Sequence, residues 1–218
     1  MQDIDFKNRV KRKIGINNTI DDLSLSDCIS DALGKLSKDK PLYVVADIDG
    51  DGTDKYDLPA NWNGRLSKII SVEYPTGEDE PELLEAEDYF IYKEPDSENG
   101  GYLYSLNFID DTPTAEEAIR ITYTTNYSSV EDVDALDIDV FATLAASLAC
   151  GVLARTYSGT KESNLDNDFV NFRGKGDIFA SRAKELIKIY NEYVGIKDGV
   201  SAASSLGSWS TDSYWATH

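Results

Sequence analysis

The stretch Leu36-Ser37-Lys38-Asp39-Lys40-Pro41-Leu42-Tyr43-Val44-Val45-Ala46-Asp47-Ile48 changes its period at one proline. Before Pro41, Leu25, Cys28, Ile29, Ala32, Leu33 and Leu36 fall on one face of a helix. After it, Leu42 to Ile48 is rich in β-branched residues, which fit a pleated ribbon. Proline lacks the amide hydrogen that a helix needs and biases the preceding Lys40 toward extended backbone. The switch predicts a helix that ends near residue 40 and a β region that begins at residue 41.

Working upstream, Ser24 or Ser26 reads as the N-cap of that helix, with Asp27 in its first turn. A shorter helix is expected from about Asp5 to Ile14, where Phe6, Val10 and Ile14 recur every fourth residue and Gly15 follows. Lys7, Arg9, Lys11, Arg12 and Lys13 fill the positions between them. This local basic patch reads either as a solvated helix face or as an electrostatic dock for an acidic partner.

Working downstream, four more strand-like runs follow: Ser67 to Tyr74, Asp88 to Tyr92, Gly101 to Phe108 and Ala118 to Thr125. Each is short, β-prone and bounded by Gly, Pro, Asp or Asn. Glu94 to Gly101 is a hairpin-type loop, and Asp110-Asp111-Thr112-Pro113 marks another turn. Five or so antiparallel strands would make a small sheet or sandwich.

The helical period then returns. Asp137 or Asp139 can cap a long helix that runs to about Tyr157, with Ile138, Phe141, Leu144, Ala145, Leu148, Ala149, Val152 and Leu153 as apolar positions. Small residues, among them Ala142, Ala146, Ala149 and Gly151, are dense along it and allow close approach of another backbone, from this chain or from a neighbour. After a polar loop from Ser158 to Asn167, a last helix is expected from about Asp177 to Val194, ended by Gly195. The expected fold class is α+β. A bundle of N-terminal helices (1–40) and two long C-terminal helices (131–197) carries an inserted small antiparallel β domain (41–130).

Residues 198–218 form an arm of different character, mostly Ser, Ala, Gly and Thr with Trp209, Tyr214 and Trp215 embedded. Ser/Gly-rich segments are flexible, whereas large aromatics are enriched at interfaces. The arm is expected either to order on a partner or to fold back over its own core.

Composition restricts function further. With 40 acidic against 21 basic residues the net charge is -19, so a basic nucleic-acid-binding face is not expected. An acidic wall past which DNA slides remains compatible with it. Cys28 and Cys150 both lie in apolar helical patterns and read as reduced, buried thiols. No apolar stretch is expected to reach the length needed to span a bilayer, and the N-terminus has no signal-peptide pattern. A chain made and kept in a cytoplasm is expected.

Catalysis finds little support. The one histidine is His218, within the arm, which leaves no histidine-based triad or metal site. Neither cysteine has an activating histidine nearby. There is no P-loop or dinucleotide fingerprint, and the acidic run from Glu78 to Asp88 reads as a solvated loop. The sharpest motif is Asp47-Ile48-Asp49-Gly50-Asp51-Gly52-Thr53-Asp54. Carboxylates alternate there and Gly52 holds the sixth place, as in a calcium-binding loop. However, the twelfth place is Leu58 where a bidentate Glu belongs, and the segment follows a strand. Asp47, Asp49 and Asp51, with Asp54, are therefore a weak metal candidate beside a plain turn. No enzyme activity and no cofactor are expected.

Several stretches carry a resemblance. Tyr56-Asp57-Leu58-Pro59 with Trp62, Ser67 through Gly77, Leu84 through Tyr92 and Ile119 through Thr124 look like recurring segments of tailed-phage head and neck proteins. Leu144 through Cys150 before Tyr157, and Ser181-Arg182-Ala183 before Tyr190, fit the same pattern. Over roughly residues 20 to 195 the chain resembles the head-tail connector (adaptor, head-completion) proteins of tailed bacteriophages. The resemblance implies a virion protein of the neck, made in a bacterial host, whose helical bundle forms a homo-oligomeric ring beneath the portal, commonly of twelve subunits. Portal protein above, tail or stopper components below and genomic DNA passing non-specifically through the channel are the implied partners, with no membrane.

On that reading Trp209, Tyr214 and Trp215 would dock on the portal, and Ala142, Ala146, Ala149 and Gly151 would pack against a neighbouring subunit. Lys7, Arg9, Lys11, Arg12 and Lys13 would form the basic docking patch. A tail-completion or other minor virion protein, and a calcium-dependent β-rich ligand-binding module, are the competing readings.

Overall fold

In a computed structural model, which describes residues 3–15, 20–77, 79–97, 100–115, 117–159 and 172–196, the helix before Pro41 is α2 (Asp22–Asp39). It begins earlier than the serine caps predict. Asp21 is the N-cap: its carboxylate accepts from the Ser24 backbone N–H at 2.8 Å, and the Ser24 hydroxyl donates to it at 2.7 Å. A carboxylate suits the positive end of the helix dipole as well as the unpaired amides, so Asp21 takes the position and Ser24 falls inside the first turn. At the other end the Lys40 N–H still reaches the Leu36 carbonyl, at 2.7 Å, before Pro41 stops the helix.

The chain forms two compact units, one within Met1–Lys40 and Tyr127–His218, the other Pro41–Asn126. The first contains α1 (Asp3–Ile14), α2, α3 (Ile138–Gly159) and α4 (Phe172–Val194). Helix α3 is its centre, and each of the other three packs against it. Phe6 of α1 stacks on Phe141 of α3 with centroids 4.7 Å apart, and Tyr157 of α3 stacks on Phe179 of α4 at 5.6 Å. The Ser147 hydroxyl donates to the Ala183 carbonyl at 2.9 Å.

Helix α4 starts at Phe172, ahead of the expected Asp177, and so includes Gly174 and Gly176. Glycine weakens a helix, but a Cβ on Gly176 would lie 2.8 Å from the Ser158 hydroxyl oxygen. The residue that looks like a helix breaker is where α4 comes close against the last turns of α3.

The expectation that no apolar run is long enough to span a bilayer is corrected by α3. Ile138–Ser158 is long and apolar enough by length and composition. Most of it is buried under α1, α2 and α4, and a helix that is apolar all round is what the centre of such a unit requires.

The second unit contains two antiparallel sheets with strand orders β1-β6-β3 and β2-β5-β4. The strands are β1 (Leu42–Asp49), β2 (Lys55–Asp57), β3 (Ile69–Glu73), β4 (Tyr89–Pro95), β5 (Tyr102–Phe108) and β6 (Ala118–Thr125). First and last strands pair along their whole length, from Leu42 opposite Thr125 to Asp49 opposite Ala118. Both sheets contribute to one core of Tyr56, Val72, Leu106, Phe108, Ile119, Ile121 and Tyr123. Strand β2 is additional to the five expected. At three residues it is too short to show a period, and Tyr56 is its one inward side chain.

Candidate functional site

The aspartate motif spans the end of β1 and the turn after it. Strand alternation puts Asp47 and Asp49 on the same outer face, while Asp51 lies in the turn. Asp47 is engaged by Arg120 of β6, with Nε at 2.7 Å and Nη2 at 3.0 Å from its two oxygens. That hydrogen-bonded guanidinium holds the Asp47 carboxyl below its usual range. One Asp51 oxygen accepts from the Thr53 N–H at 2.9 Å and from the Thr53 hydroxyl at 2.5 Å, which closes a local turn. Among the described residues no group of three or more His, Cys, Asp or Glu side chains is placed to hold a metal ion. The candidate metal set is corrected accordingly: Asp47 and Asp51 each have a structural partner, and they do not converge.

The small-residue stripe of α3 divides. Ala142, Ala146 and Ala149 are fully buried inside their own unit. Their expected role against a neighbouring subunit is corrected, because no other chain reaches them unless the helices part. Gly151 differs. It is half-buried, and a Cβ built on it meets nothing among the described residues within 4 Å.

The basic residues of α1 are also divided. Lys11 pairs with Asp22 at 2.8 Å, and Lys13 pairs with Asp139 at 2.9 Å, with Arg9 at 3.8 Å from the same carboxylate. Lys7 is half-buried and Arg12 exposed. The patch expected to await an acidic partner thus finds acidic partners in α2 and α3 of its own chain. Surface pairs of this kind contribute at most about 1 kcal/mol each. Trp209, Tyr214 and Trp215 lie outside the described residues.

A polar cluster that the sequence did not disclose sits where α2, α3 and α4 meet. Lys40 Nζ lies 2.7 Å from both oxygens of Asp137, and the Tyr193 hydroxyl donates to Asp137 at 2.6 Å. The Asp137 side chain is only 5% exposed. Burial opposes its ionisation, but the Lys40 ammonium and the Tyr193 hydroxyl together outweigh that and hold it below the usual carboxylate range. The same hydrogen bond raises Lys40, against its own desolvation. A depressed acid loses its contribution only as pH falls through its lowered value, and a raised base only as pH rises through its raised one. The pair is therefore intact across neutral pH.

Beside it the Tyr190 hydroxyl donates to Asp39 at 2.8 Å, and Lys35 pairs with Asp39 at 2.9 Å. Asp137 was legible as a helix cap and Tyr190 as a buried position, but nothing in the sequence pairs them with Lys40 and Asp39.

No protein-family model matches the chain, and no curated protein matches it.

What remains is a distribution of charge. Pro41–Asn126 holds 20 carboxylates against five basic residues, and the rest of the chain 20 against 16. The loops β1–β2, β3–β4 and β5–β6 lie at one end of the β unit, as Asp49 opposite Ala118, Glu73 opposite Arg120 and Tyr89 opposite Phe108 require. Among the described residues, 49–54, 74–77, 79–88, 109–115 and 117 contribute twelve carboxylates there, with no lysine or arginine. Both cysteines are free and buried, and burial pushes the Cys150 thiol up to about 11. Neither is an activated nucleophile.

Proposed function

We propose that this chain is a non-enzymatic structural virion protein of a tailed bacteriophage, a head-to-tail adaptor that assembles as a ring under the portal. The observation that carries the reading is the helical unit: segments on both sides of the β insertion build it together around α3. A helical bundle is what the resemblance to connector proteins implies, and the β insertion is an addition to it. The acidic β unit is consistent with it, since a carboxylate-rich surface repels DNA phosphates and would not grip a passing genome. Portal protein, tail or stopper components and further copies of the chain are the partners in this reading.

The test is electron microscopy of virion necks that carry a label at the C-terminus. A ring of label directly below the portal is expected. Label elsewhere on the tail would make this a virion protein of another position, and no label on particles would end the reading.

Two variants refine it. Deleting residues 199–218 is expected to weaken binding to purified portal while the thermal melt of the monomer stays unchanged. Unaltered portal affinity would remove the arm from the proposal. Gly151→Leu places a side chain where no described residue lies within 4 Å of the added Cβ. It should leave the monomer intact, or stabilise it by up to about 1 kcal/mol through helix propensity. Ring assembly should be lost if a neighbouring subunit packs there. Rings that form normally would show that this face of α3 is not a subunit contact.

A further inference from the structure

The two points where the chain passes between its units, Lys40–Pro41 and Asn126–Tyr127, are each fastened on the helical side by side chains. Lys40 is held by Asp137 at the start of α3, which also receives the Tyr193 hydroxyl from α4. On the returning segment, the Tyr127 N–H donates to the Ser37 hydroxyl of α2 at 3.0 Å. Ser37 is itself buried, and its hydroxyl donates to the Leu33 carbonyl at 2.8 Å. The helical unit thus fastens both of these ends with side chains of its own.

The β side closes equally. Leu42 and Thr125, each one residue inside the unit, face each other as the first pair of the β1–β6 ladder. The Thr125 hydroxyl donates to the Asn61 carbonyl at 2.5 Å, and the Lys68 carbonyl accepts from the Thr124 N–H at 2.9 Å. Each unit also has its own fully buried apolar residues: Phe6, Val10, Leu25, Phe141, Leu144 and Tyr190 in one, and Val72, Leu106, Ile119 and Ile121 in the other.

We propose that the β unit is a self-closed graft and that the Lys40–Asp137–Tyr193 cluster is the clamp that lets the helical unit hold its fold independently of it. The two units are then separate cooperative units of unfolding. An insertion of this kind tolerates changes in the graft without loss of the helical fold. The inference stands apart from the adaptor reading, because it concerns only how the chain holds together.

The test uses the full-length chain and differential scanning calorimetry, with circular dichroism to assign helix and sheet signals. Asp137→Asn keeps the shape of the side chain but removes the charge that holds Lys40. It is expected to lower the transition that carries the helical signal by several degrees and to leave the β transition in place. Leu106→Ala, in the β core, should do the reverse. Where the wild-type transitions overlap, each variant should split them in opposite order. If both variants shift one common transition, the units melt together and the proposal is wrong. It is equally wrong if Asp137→Asn leaves every transition where it was.

Discussion

Phe141→Ala is expected to destabilise the helical unit by about 3–5 kcal/mol, the range for truncation of a fully buried aromatic side chain. Phe141 is fully buried on the central helix, and its ring lies against Phe6 at 4.7 Å with planes 14° apart. Removing it exposes the Phe6 ring to an empty space lined by apolar side chains, where water finds no partners. Helix α1 loses its aromatic anchor on α3, so its basic residues lose the geometry that pairs Lys13 with Asp139. A thermal melt followed at the helical wavelength should show the loss. Phe141→Leu, which keeps most of the volume, should cost less than about 1.5 kcal/mol. Because the rings touch, Phe6→Ala and Phe141→Ala together should cost less than the two separate losses. Strict additivity would mean that the stacking carries no coupling, and a loss below about 1 kcal/mol for Phe141→Ala would mean that α1 does not pack there.

The boundary at Pro41 was legible because two periods meet at a residue that forbids one of them. The alternation of β1 was not legible: Val44, Ala46 and Ile48 turn inward while Tyr43, Val45, Asp47 and Asp49 turn out, so apolar residues stand on both faces. What else could not be read concerns partners that are distant in sequence. An α3 rich in alanine looks the same whether its own chain or a neighbour covers it, and here α1, α2 and α4 cover Ala142, Ala146 and Ala149. The basic run of α1 is neutralised in part by Asp139, 126 residues from Lys13. The clamp joins Lys40 to Asp137 across 97 residues, and no local pattern reports such a pair. Strand β2 escaped for the opposite reason, since three residues are too few to carry a periodic signal.

The aspartate motif offers a sharper test, because its two glycines answer to different causes. As a calcium loop counted from Asp47, the essential glycine is Gly52 in the sixth place. As a packed turn, the essential glycine is Gly50. Gly50 is buried, and its N–H donates to the Glu117 carbonyl at 2.9 Å. A Cβ there would fall 2.7 Å from the Pro113 carbonyl oxygen and nearer still to that of Thr114.

Those carbonyls cannot easily recede. Pro113 already accepts the Gly52 N–H at 2.7 Å and the Tyr56 hydroxyl at 2.9 Å, and Tyr56 belongs to the β core. Gly50→Val is therefore expected to cost about 3 kcal/mol or more, as overpacking against backbone does when nothing can relax. Gly52 has a φ of +81° but no described residue within 4 Å of a Cβ built on it. Gly52→Ala should cost only the left-handed conformation, about 1–2 kcal/mol. Thermal melts of both variants of the full chain, with and without millimolar calcium, separate the readings. The larger loss at Gly50, with no calcium-dependent shift, is the expected result. A larger loss at Gly52, together with wild-type stabilisation by calcium, would return the motif to metal binding and with it the case for a ligand-binding β unit.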